Sequence, residues 1–451
     1  MLFVVFRSLG SVRNTTLVGL SMFRPEAAPR LIDNTGGIGL KRLDAQGTEG
    51  EKKSPMKHST DRILTTHVGS LPRPADMLEA LGKKMAGQPI DEQAFEARLP
   101  GAVLEVVRRE AECGLDVIND GEVSKAGFIL YADERLTGFE QLEIPEKDIP
   151  RAVNYLAGSR EFLAFPDYYQ PEAMLRRATE GRKPRQPVCT GPVTYKGKAL
   201  FERDLKNFKA ALAQVKVEEA FIPAVSPNQI SYRRPNQFYR TMEEYEVAVA
   251  EALREEYKAI IDSGLLLQID DPQLLTHYLR NPDLSIEDYR RWAERHVELL
   301  NHTLRELPRE KIRFHSCYSV AFGPRVHDLE FKHVIGLVVK INAGAHSFEA
   351  SNPRHEHEWK LWEEVKLPED TLLIPGVVTQ STATVEHPEL VAQRIERFAG
   401  VRGRDKVIAG VDCGFASVAR NTDMPDSVIW AKLEALAQGA RIASRRLWGR
   451  G

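Results

Sequence analysis

Two residues with strong affinity for metals, His315 and Cys317, stand two positions apart in the run His315-Ser316-Cys317. In an extended strand such residues face the same side, so the imidazole and the sulfur can converge on one ion. Glu349 and Cys413 close two other apolar runs further along the chain. Two thiolates, one imidazole and one carboxylate form a donor set that suits tetrahedral Zn²⁺. We therefore predict a zinc site held by His315, Cys317, Glu349 and Cys413.

A zinc ion held mainly by thiolates favours one class of reaction. It takes up a substrate thiol as the nucleophilic thiolate, whereas a free thiol with a pKa near ~8.5 is mostly protonated at neutral pH. The donor set thus predicts S-alkylation of a thiol rather than activation of water. Two alternatives stay open: a closed structural zinc, and a hydrolytic zinc with Asp412 as the general base adjacent to Cys413.

The elements that carry these residues are short apolar runs alternating with helical patterns. Near-continuous apolar runs are typical of strands buried on both faces of a parallel sheet. Helical stripes between them end before Gly114, Gly264 and Gly400, where a glycine can close a helix. The eight predicted strands cover residues 63–70, 116–121, 221–226, 265–270, 312–317, 346–349, 371–378 and 407–413. Eight strands alternating with helices predict an α/β fold, a (β/α)8 TIM barrel.

Polar side chains close several of these strands, at the barrel face where active sites are built. They include His67, Ser70, Glu122 and Asp270. His67 precedes the Gly69-Ser70 turn and could orient a substrate, although a packed, hydrogen-bonded core histidine is an equal alternative. No Gly-rich dinucleotide turn or phosphate loop is found in the sequence, which favours the barrel over an open doubly wound sheet.

The predicted barrel spans residues 58–451 and contains one long interruption. The gap between the second and third strands exceeds one helix, so an inserted substructure is predicted over about residues 123–212, with the run 187–194 inside it. Residues 1–57 are predicted to be a disordered leader or extension, because they are acid-poor near the start and show no periodicity. An Arg-bearing, acid-poor start is also typical of a mitochondrial transit peptide.

Composition excludes several classes of function. The 451 residues carry a net charge of −2, which gives no basic excess for nucleic acid or for an anionic membrane. No apolar run is long enough to span a bilayer. Four widely spaced cysteines do not make a disulfide scaffold, and Cys113 and Cys189 are predicted to be structural. We predict a soluble, cytoplasmic protein, or a mitochondrial one if the leader is a transit peptide.

Several motifs together resemble the catalytic barrel of cobalamin-independent methionine synthases. They are Thr65-Thr66-His67-Val68-Gly69-Ser70, Gly121-Glu122, Gln268-Ile269-Asp270-Asp271-Pro272, His315-x-Cys317, Glu349 and Asp412-Cys413-Gly414. The resemblance covers about residues 62–443. It implies that the same four ligands hold zinc and that Ser70, Glu122 and Asp270 bind the amino acid part of homocysteine. Glu122 and Asp270 are therefore the predicted catalytic residues, and methionine biosynthesis is the implied role.

The sequence departs from that family where the methyl donor would bind. No pterin-stacking Trp follows the third strand, where Ile230 and Tyr232 stand, and no His follows Pro375-Gly376-Val377. The family's 5-methyltetrahydrofolate is therefore only one candidate donor. Similarity to the epoxyalkane–coenzyme M transferases gives an alternative, in which the thiolate opens an epoxide. Arg233 and Arg234 could bind an anionic group, and Asp271 is predicted to be a structural neighbour of Asp270.

Overall fold

The computed structural model describes residues 55–154, 156–170, 184–320, 322–419 and 424–449. Within them, eight parallel strands form one sheet and two antiparallel strands form another. The strands are β1 Leu64–Thr65, β2 Val117–Ile118, β3 Phe139–Glu143, β4 Arg185–Cys189, β5 Glu219–Val225, β6 Leu266–Asp270, β7 Ile312–Ser316, β8 Ala345–Phe348, β9 Leu372–Val378 and β10 Ile408–Val411.

The large sheet closes into the predicted barrel. Its strands follow the order β1, β2, β5, β6, β7, β8, β9, β10, with every neighbouring pair parallel. A parallel bridge between Thr66 and Val117 joins β1 to β2 and completes the ring. The (β/α)8 prediction is confirmed, and each of the eight predicted strands overlaps one observed strand. The prediction for β1 was too long, because residues 68–70 leave the sheet to line the cavity at the barrel mouth.

Helices surround the barrel as the sequence pattern predicts. The longer ones are Ala75–Met85, Glu92–Cys113, Lys198–Leu212, Pro227–Arg233, Met242–Asp262, Gln273–Arg280, Ile286–Thr303, Pro388–Arg402 and Asp426–Trp448. Shorter helices are Ala132–Arg135, Ile149–Val153, Arg160–Ala164, Pro166–Tyr169, Ile335–Val338 and Leu361–Glu364, and 3-10 turns are Glu146–Asp148, Arg309–Lys311, Phe331–His333, Glu356–Lys360 and Arg404–Lys406. The predicted stop at Gly400 was wrong, since this exposed glycine lies inside a helix that ends at Arg402.

The barrel interior is layered along each strand. In β6, every second residue points to the same side, so Leu266, Gln268 and Asp270 face one side of the strand. Leu266 belongs to an apolar cluster to which seven of the barrel strands and Met56 contribute. Gln268 belongs to a polar layer with Arg313, whose guanidinium donates to Thr66 Oγ1 and to the His67 carbonyl. Asp270 reaches the cavity at the carboxyl end.

An inserted substructure lies between β2 and β5, where the interruption was predicted. Strands β3 and β4 pair antiparallel over five residues each, and β4 overlaps the run 187–194. The buried Arg135 ties this region to the barrel through ion pairs with Asp204 and Glu256. Asp204 lies on the helix Lys198–Leu212, which packs against Glu92–Cys113 as the barrel helix before β5.

The predicted leader, residues 1–57, falls outside the described residues except for its last three. Of these, Met56 is buried in the apolar cluster of the barrel, and its N–H donates to the Glu310 carbonyl at 3.1 Å. Met56 therefore belongs to the barrel. Among the helices of the described residues, none has the length and apolar character needed to cross a membrane.

Candidate metal and substrate site

The centre of the site is a cluster of three buried side chains. His315 lies on β7, Cys317 directly follows it, and Cys413 follows β10. Their donor atoms all lie within 4.8 Å of one another, and the two sulfurs of these free cysteines are 3.0 Å apart. His315 and Cys317 converge because alternating strand residues share a side.

Cys413 reaches the cluster beyond an irregular pairing of β10 with β9. The register between the two strands shifts between Gly410 and Val411, and the extra residue of this β-bulge lies on β9. Beyond the shift, Cys413 lines the cavity, while Asp412 contacts the loop after β8. Asp412 accepts hydrogen bonds from the Ala350 and Ser351 N–H groups and from the Ser351 hydroxyl. Both of its oxygens thus accept hydrogen bonds from that loop, and Asp412 is not among the residues that line the cavity.

The cluster has the chemistry of a metal site. Nδ1 of His315 lies 3.1 Å from the Ser347 hydroxyl, while its buried Nε2 has no hydrogen-bond partner among the described residues. Buried polar atoms normally have hydrogen-bond partners, so the absence of one at this nitrogen fits a metal ligand. Burial and the Arg313 charge lower the pKa of His315 to about 3, which keeps the imidazole in the neutral form that binds metals. Among the described residues, this is the group of metal-binding side chains that the structure brings together.

Glu349, the fourth predicted ligand, is not part of that group. Its buried carboxylate accepts a 2.6 Å hydrogen bond from the Tyr318 N–H and contacts Arg325 Nη2 at 3.1 and 3.4 Å. The side-chain amide of Asn352 also donates to it. The structure therefore brings together three of the four predicted ligands. The role of Glu349 as a ligand stays a prediction.

Two carboxylates, Glu122 and Asp270, line the same cavity as the cluster. Burial is the main cause that raises the pKa of Asp270 well above its usual range, and the charge of Glu122 raises this pKa further. A hydrogen bond from Gln268 opposes the shift. Glu122 has a left-handed φ of 55°, a conformation that is uncommon outside glycine. Arg73 stabilises it by donating to the Glu122 carbonyl at 3.2 Å. Strained residues of this kind concentrate at functional sites.

The cavity has a volume of about 240 Å³ and opens at the carboxyl end of the barrel. Ser70 forms part of its wall beside Gly414, where a Cβ atom would lie 2.6 Å from the Ser70 hydroxyl oxygen. The segments 126–130 and 417–419 run antiparallel across the mouth, joined by hydrogen bonds from Phe128 N to Ser417 O and from Ala419 N to Ala126 O. They contribute the apolar wall formed by Phe128, Ile129, Leu130 and Val418.

His67, a predicted substrate-binding residue, is absent from the cavity wall. Its Nε2 lies 2.5 Å from Glu110 Oε1, and both side chains are buried. Burial, assisted by Arg313, lowers the pKa of His67 to about 3, and burial raises the pKa of Glu110 well above its usual value. Both shifts favour the neutral forms, and the pair packs in the core where the segment after β1 meets the helix Glu92–Cys113. This is the core alternative that the sequence left open.

The other residues considered in the sequence also divide into those that line the cavity and those that form structural pairs. Arg233 lines the cavity, whereas Arg234 is buried and bound to Asp133 at 2.6 Å. Asp271 pairs with His296 at 2.6 Å, which confirms its structural role. Sequence reasoning missed Arg73 and Arg325. Both lie outside the predicted strands, and no local pattern in the sequence distinguishes them from solvated arginines.

An eight-stranded parallel barrel with a His–Cys–Cys cluster in its carboxyl mouth defines a class: (β/α)8 proteins with a candidate thiolate metal site beside a small-molecule cavity. Comparison with known proteins narrows this class. Residues 63–153 and 173–427 match the family described as cobalamin-independent synthase, catalytic domain. The chain belongs to the cobalamin-independent methionine synthase family, which confirms the resemblance found in the sequence.

Relatives of similar length support this assignment. The methionine synthase of Sulfolobus acidocaldarius is 23% identical over 390 residues, which cover 86% of this chain and 94% of that protein. That of Saccharolobus solfataricus is 24% identical, with 86% and 97% covered. The structure of a B12-independent methionine synthase from Shewanella sp. W3-18-1, in complex with selenomethionine, matches with a TM-score of 0.63 at 18% identity, covering 86% of this chain and 99% of that chain. At that identity the structural likeness concerns the fold alone.

Proposed function

We propose that this chain is a zinc-dependent methyltransferase that transfers a methyl group to the sulfur of homocysteine and so forms methionine. One observation carries the proposal: the His315–Cys317–Cys413 cluster and the Glu122–Asp270 carboxylate pair line one cavity. The histidine and the two cysteines suit a metal ion that binds a thiol, and the two carboxylates suit an ammonium group. An amino acid whose side chain ends in a thiol carries both a thiol and an ammonium group.

His315, Cys317 and Cys413 would hold the zinc ion, with Glu349 as the predicted fourth ligand. The unpartnered His315 Nε2 and the two free thiols fit this role, because thiolate and imidazole donors suit Zn²⁺. When bound, zinc would hold the acceptor sulfur as a thiolate and so supply the nucleophile. The cluster lines an open cavity, which supports a substrate-binding role over a closed structural one.

Glu122 and Asp270 would bind and orient the acceptor through its ammonium group. The charge of Glu122 is partly balanced by Lys125, whose Nζ lies 3.5 Å away and also donates to the Pro223 carbonyl. A ligand ammonium between the two carboxylates would favour the ionised form of Asp270. Ser70, which lines the same cavity beside Gly414, would contact the ligand carboxylate.

In the transfer step, the sulfur electron pair forms a bond to the methyl carbon while the bond from that carbon to the donor breaks. The thiol proton is lost and the departing atom of the donor gains one, so protons balance. The chain contributes orientation, and the apolar segments 126–130 and 417–419 exclude water from the reacting atoms. The four free cysteines fit the reducing, cytoplasmic setting that we propose for this reaction.

The donor that we propose to test first is 5-methyltetrahydrofolate. Two residues stand near the position of the family's pterin-stacking Trp: Ile230 is fully buried, and Tyr232 contacts His277 and Arg280 outside the cavity wall. Phe128, Leu130 and Arg233 line the cavity instead. These three residues are our candidates for donor contacts.

The test is calorimetric titration of zinc-loaded protein with homocysteine and with coenzyme M, followed by product analysis with each thiol. We expect homocysteine to bind more tightly, and methionine to form when 5-methyltetrahydrofolate is added. Tighter binding of coenzyme M, with thioether formation from an epoxide, would support the alternative transferase. Binding of neither thiol would contradict the proposal.

A further inference from the structure

The loop that follows β7 brings a buried arginine to Glu349. Arg325 has a left-handed φ of 57°, and its side chain is one-tenth exposed. Its Nε donates to Asp328 Oδ2 at 2.8 Å, and its Nη2 contacts both oxygens of Glu349. A charged guanidinium on a buried carboxylate forms a strong, geometrically defined interaction.

The inserted substructure holds the backbone of this loop. The buried carboxylate of Glu161, on the helix Arg160–Ala164, accepts hydrogen bonds from Val326 N at 3.2 Å and from His327 N at 2.9 Å. Arg160 anchors the same helix by donating to the carbonyls of Tyr278, Asn281 and Leu284. A continuous set of contacts thus leads from the insertion, through residues 325–327, to Glu349.

A second set of contacts braces Asp328, the other partner of Arg325. His355 Nε2 lies 3.2 Å from Asp328 Oδ2, and its Nδ1 lies 2.8 Å from Glu358. The His355 ring stacks on Tyr318 at 3.8 Å, and Tyr318 in turn donates its N–H to Glu349. Arg325 is held from both sides.

We propose that Arg325 is a positioning residue for Glu349, and that the inserted substructure fixes Arg325 through Glu161. This inference rests on the proposed function. If Glu349 completes the metal site, Arg325 would share the charge of that carboxylate, weaken it as a ligand and so favour binding of the acceptor thiol in its place. Without that counter-charge, a buried carboxylate would be drawn more strongly to the metal.

The experiment compares Arg325→Met, Arg325→Lys and Glu161→Ala with the wild-type protein, all loaded with zinc. Zinc affinity is measured by chelator competition, and homocysteine affinity by calorimetry. For Arg325→Met we expect homocysteine to bind about tenfold more weakly or worse, which corresponds to the loss of one charge-assisted hydrogen bond, while zinc is held at least as tightly. Arg325→Lys should recover part of the thiol affinity, and Glu161→Ala should show a smaller loss.

Glu146→Ala, at an exposed glutamate of the same insertion, is the matched control and should change neither affinity. Unchanged homocysteine affinity in Arg325→Met would overturn the inference. Zinc loss in parallel with thiol loss, without recovery in Arg325→Lys, would also overturn it, because that pattern indicates a merely structural role. If the wild-type protein binds zinc but no homocysteine, the proposed function itself fails.

Discussion

Cys317 and Cys413 are 96 positions apart in the chain, yet their sulfur atoms lie 3.0 Å apart in the mouth of the barrel. The carboxyl ends of β7 and β10 bring them together, and both residues line the cavity. Two buried thiols at this distance, beside an imidazole nitrogen that has no hydrogen-bond partner among the described residues, are the basis of the metal proposal.

Removing either thiol should remove the metal. We expect Cys317→Ala and Cys413→Ala to lose at least about 100-fold in zinc affinity, because even outer-shell changes reduce metal affinity by about 10- to 100-fold. Zinc content after dialysis, measured by elemental analysis, checks this. Cys113→Ala is the matched control: this cysteine is also buried but lies on the helix Glu92–Cys113, and its loss should leave the zinc content unchanged.

Neutralising one carboxylate should weaken the binding of amino acid thiols selectively. Asp270→Asn or Glu122→Gln should weaken homocysteine binding by about 30-fold, the effect of about 2 kcal/mol for a charge-assisted hydrogen bond. The control is 4-mercaptobutyrate, which carries a thiol and a carboxylate but no amino group. Its affinity should not fall in either variant. An equal loss for both ligands would show that these carboxylates do not recognise the ammonium group.

The pKa of Asp270 predicts a pH dependence. Burial, and then Glu122, raises this pKa, so the carboxyl is neutral at pH values where an ordinary aspartate is ionised. Ammonium binding requires the ionised form, so homocysteine affinity should fall as the pH drops through the raised pKa. By linkage, Asp270 makes the folded state bind a proton more tightly than the unfolded chain, so its contribution to stability declines as the pH rises. Titrations over a pH series check the binding effect.

The binding effect should vanish in Asp270→Asn and should be absent for 4-mercaptobutyrate with the wild-type protein. Homocysteine and 4-mercaptobutyrate would bind the same metal through sulfur. A pH effect on the metal ligands would therefore appear with both compounds. A pH profile for homocysteine that stays unchanged in Asp270→Asn would assign the titration to another group.

The contact between Gly414 and Ser70 should control acceptor binding. In Gly414→Ala the new Cβ would lie 2.6 Å from the Ser70 hydroxyl oxygen, so Ser70 must move. We expect KM for homocysteine to rise about fivefold with a smaller change in kcat, since one polar contact contributes about 1 kcal/mol. Adding Ser70→Ala to Gly414→Ala should cause little further loss, because both changes disturb one contact.

Gly400→Ala is the control for that substitution. Gly400 lies in the helix Pro388–Arg402, where an added Cβ meets no atom within 4 Å. This change should raise the free energy of unfolding by about 0.4 to 1 kcal/mol and leave KM unaltered. An unaltered KM in Gly414→Ala as well would contradict the proposed role of Ser70.

The barrel could be predicted from the sequence because its strands are buried on both faces and leave nearly continuous apolar runs. The cluster could be predicted because His315, Cys317 and Cys413 close such runs. The position of Glu349 could not, since it depends on Arg325, which lies in a loop with a left-handed φ. The pairing of His67 with Glu110 joins the segment after β1 to a helix, and no local spacing encodes it.

The central claim is that His315, Cys317 and Cys413 hold a zinc ion that takes up the acceptor thiol. The most direct measurement is zinc-edge X-ray absorption of the purified protein, alone and with homocysteine. We predict a shell with two sulfur ligands and a nitrogen ligand that gains one sulfur when homocysteine is added. A shell that homocysteine leaves unchanged, or a protein that binds no zinc, would contradict the account.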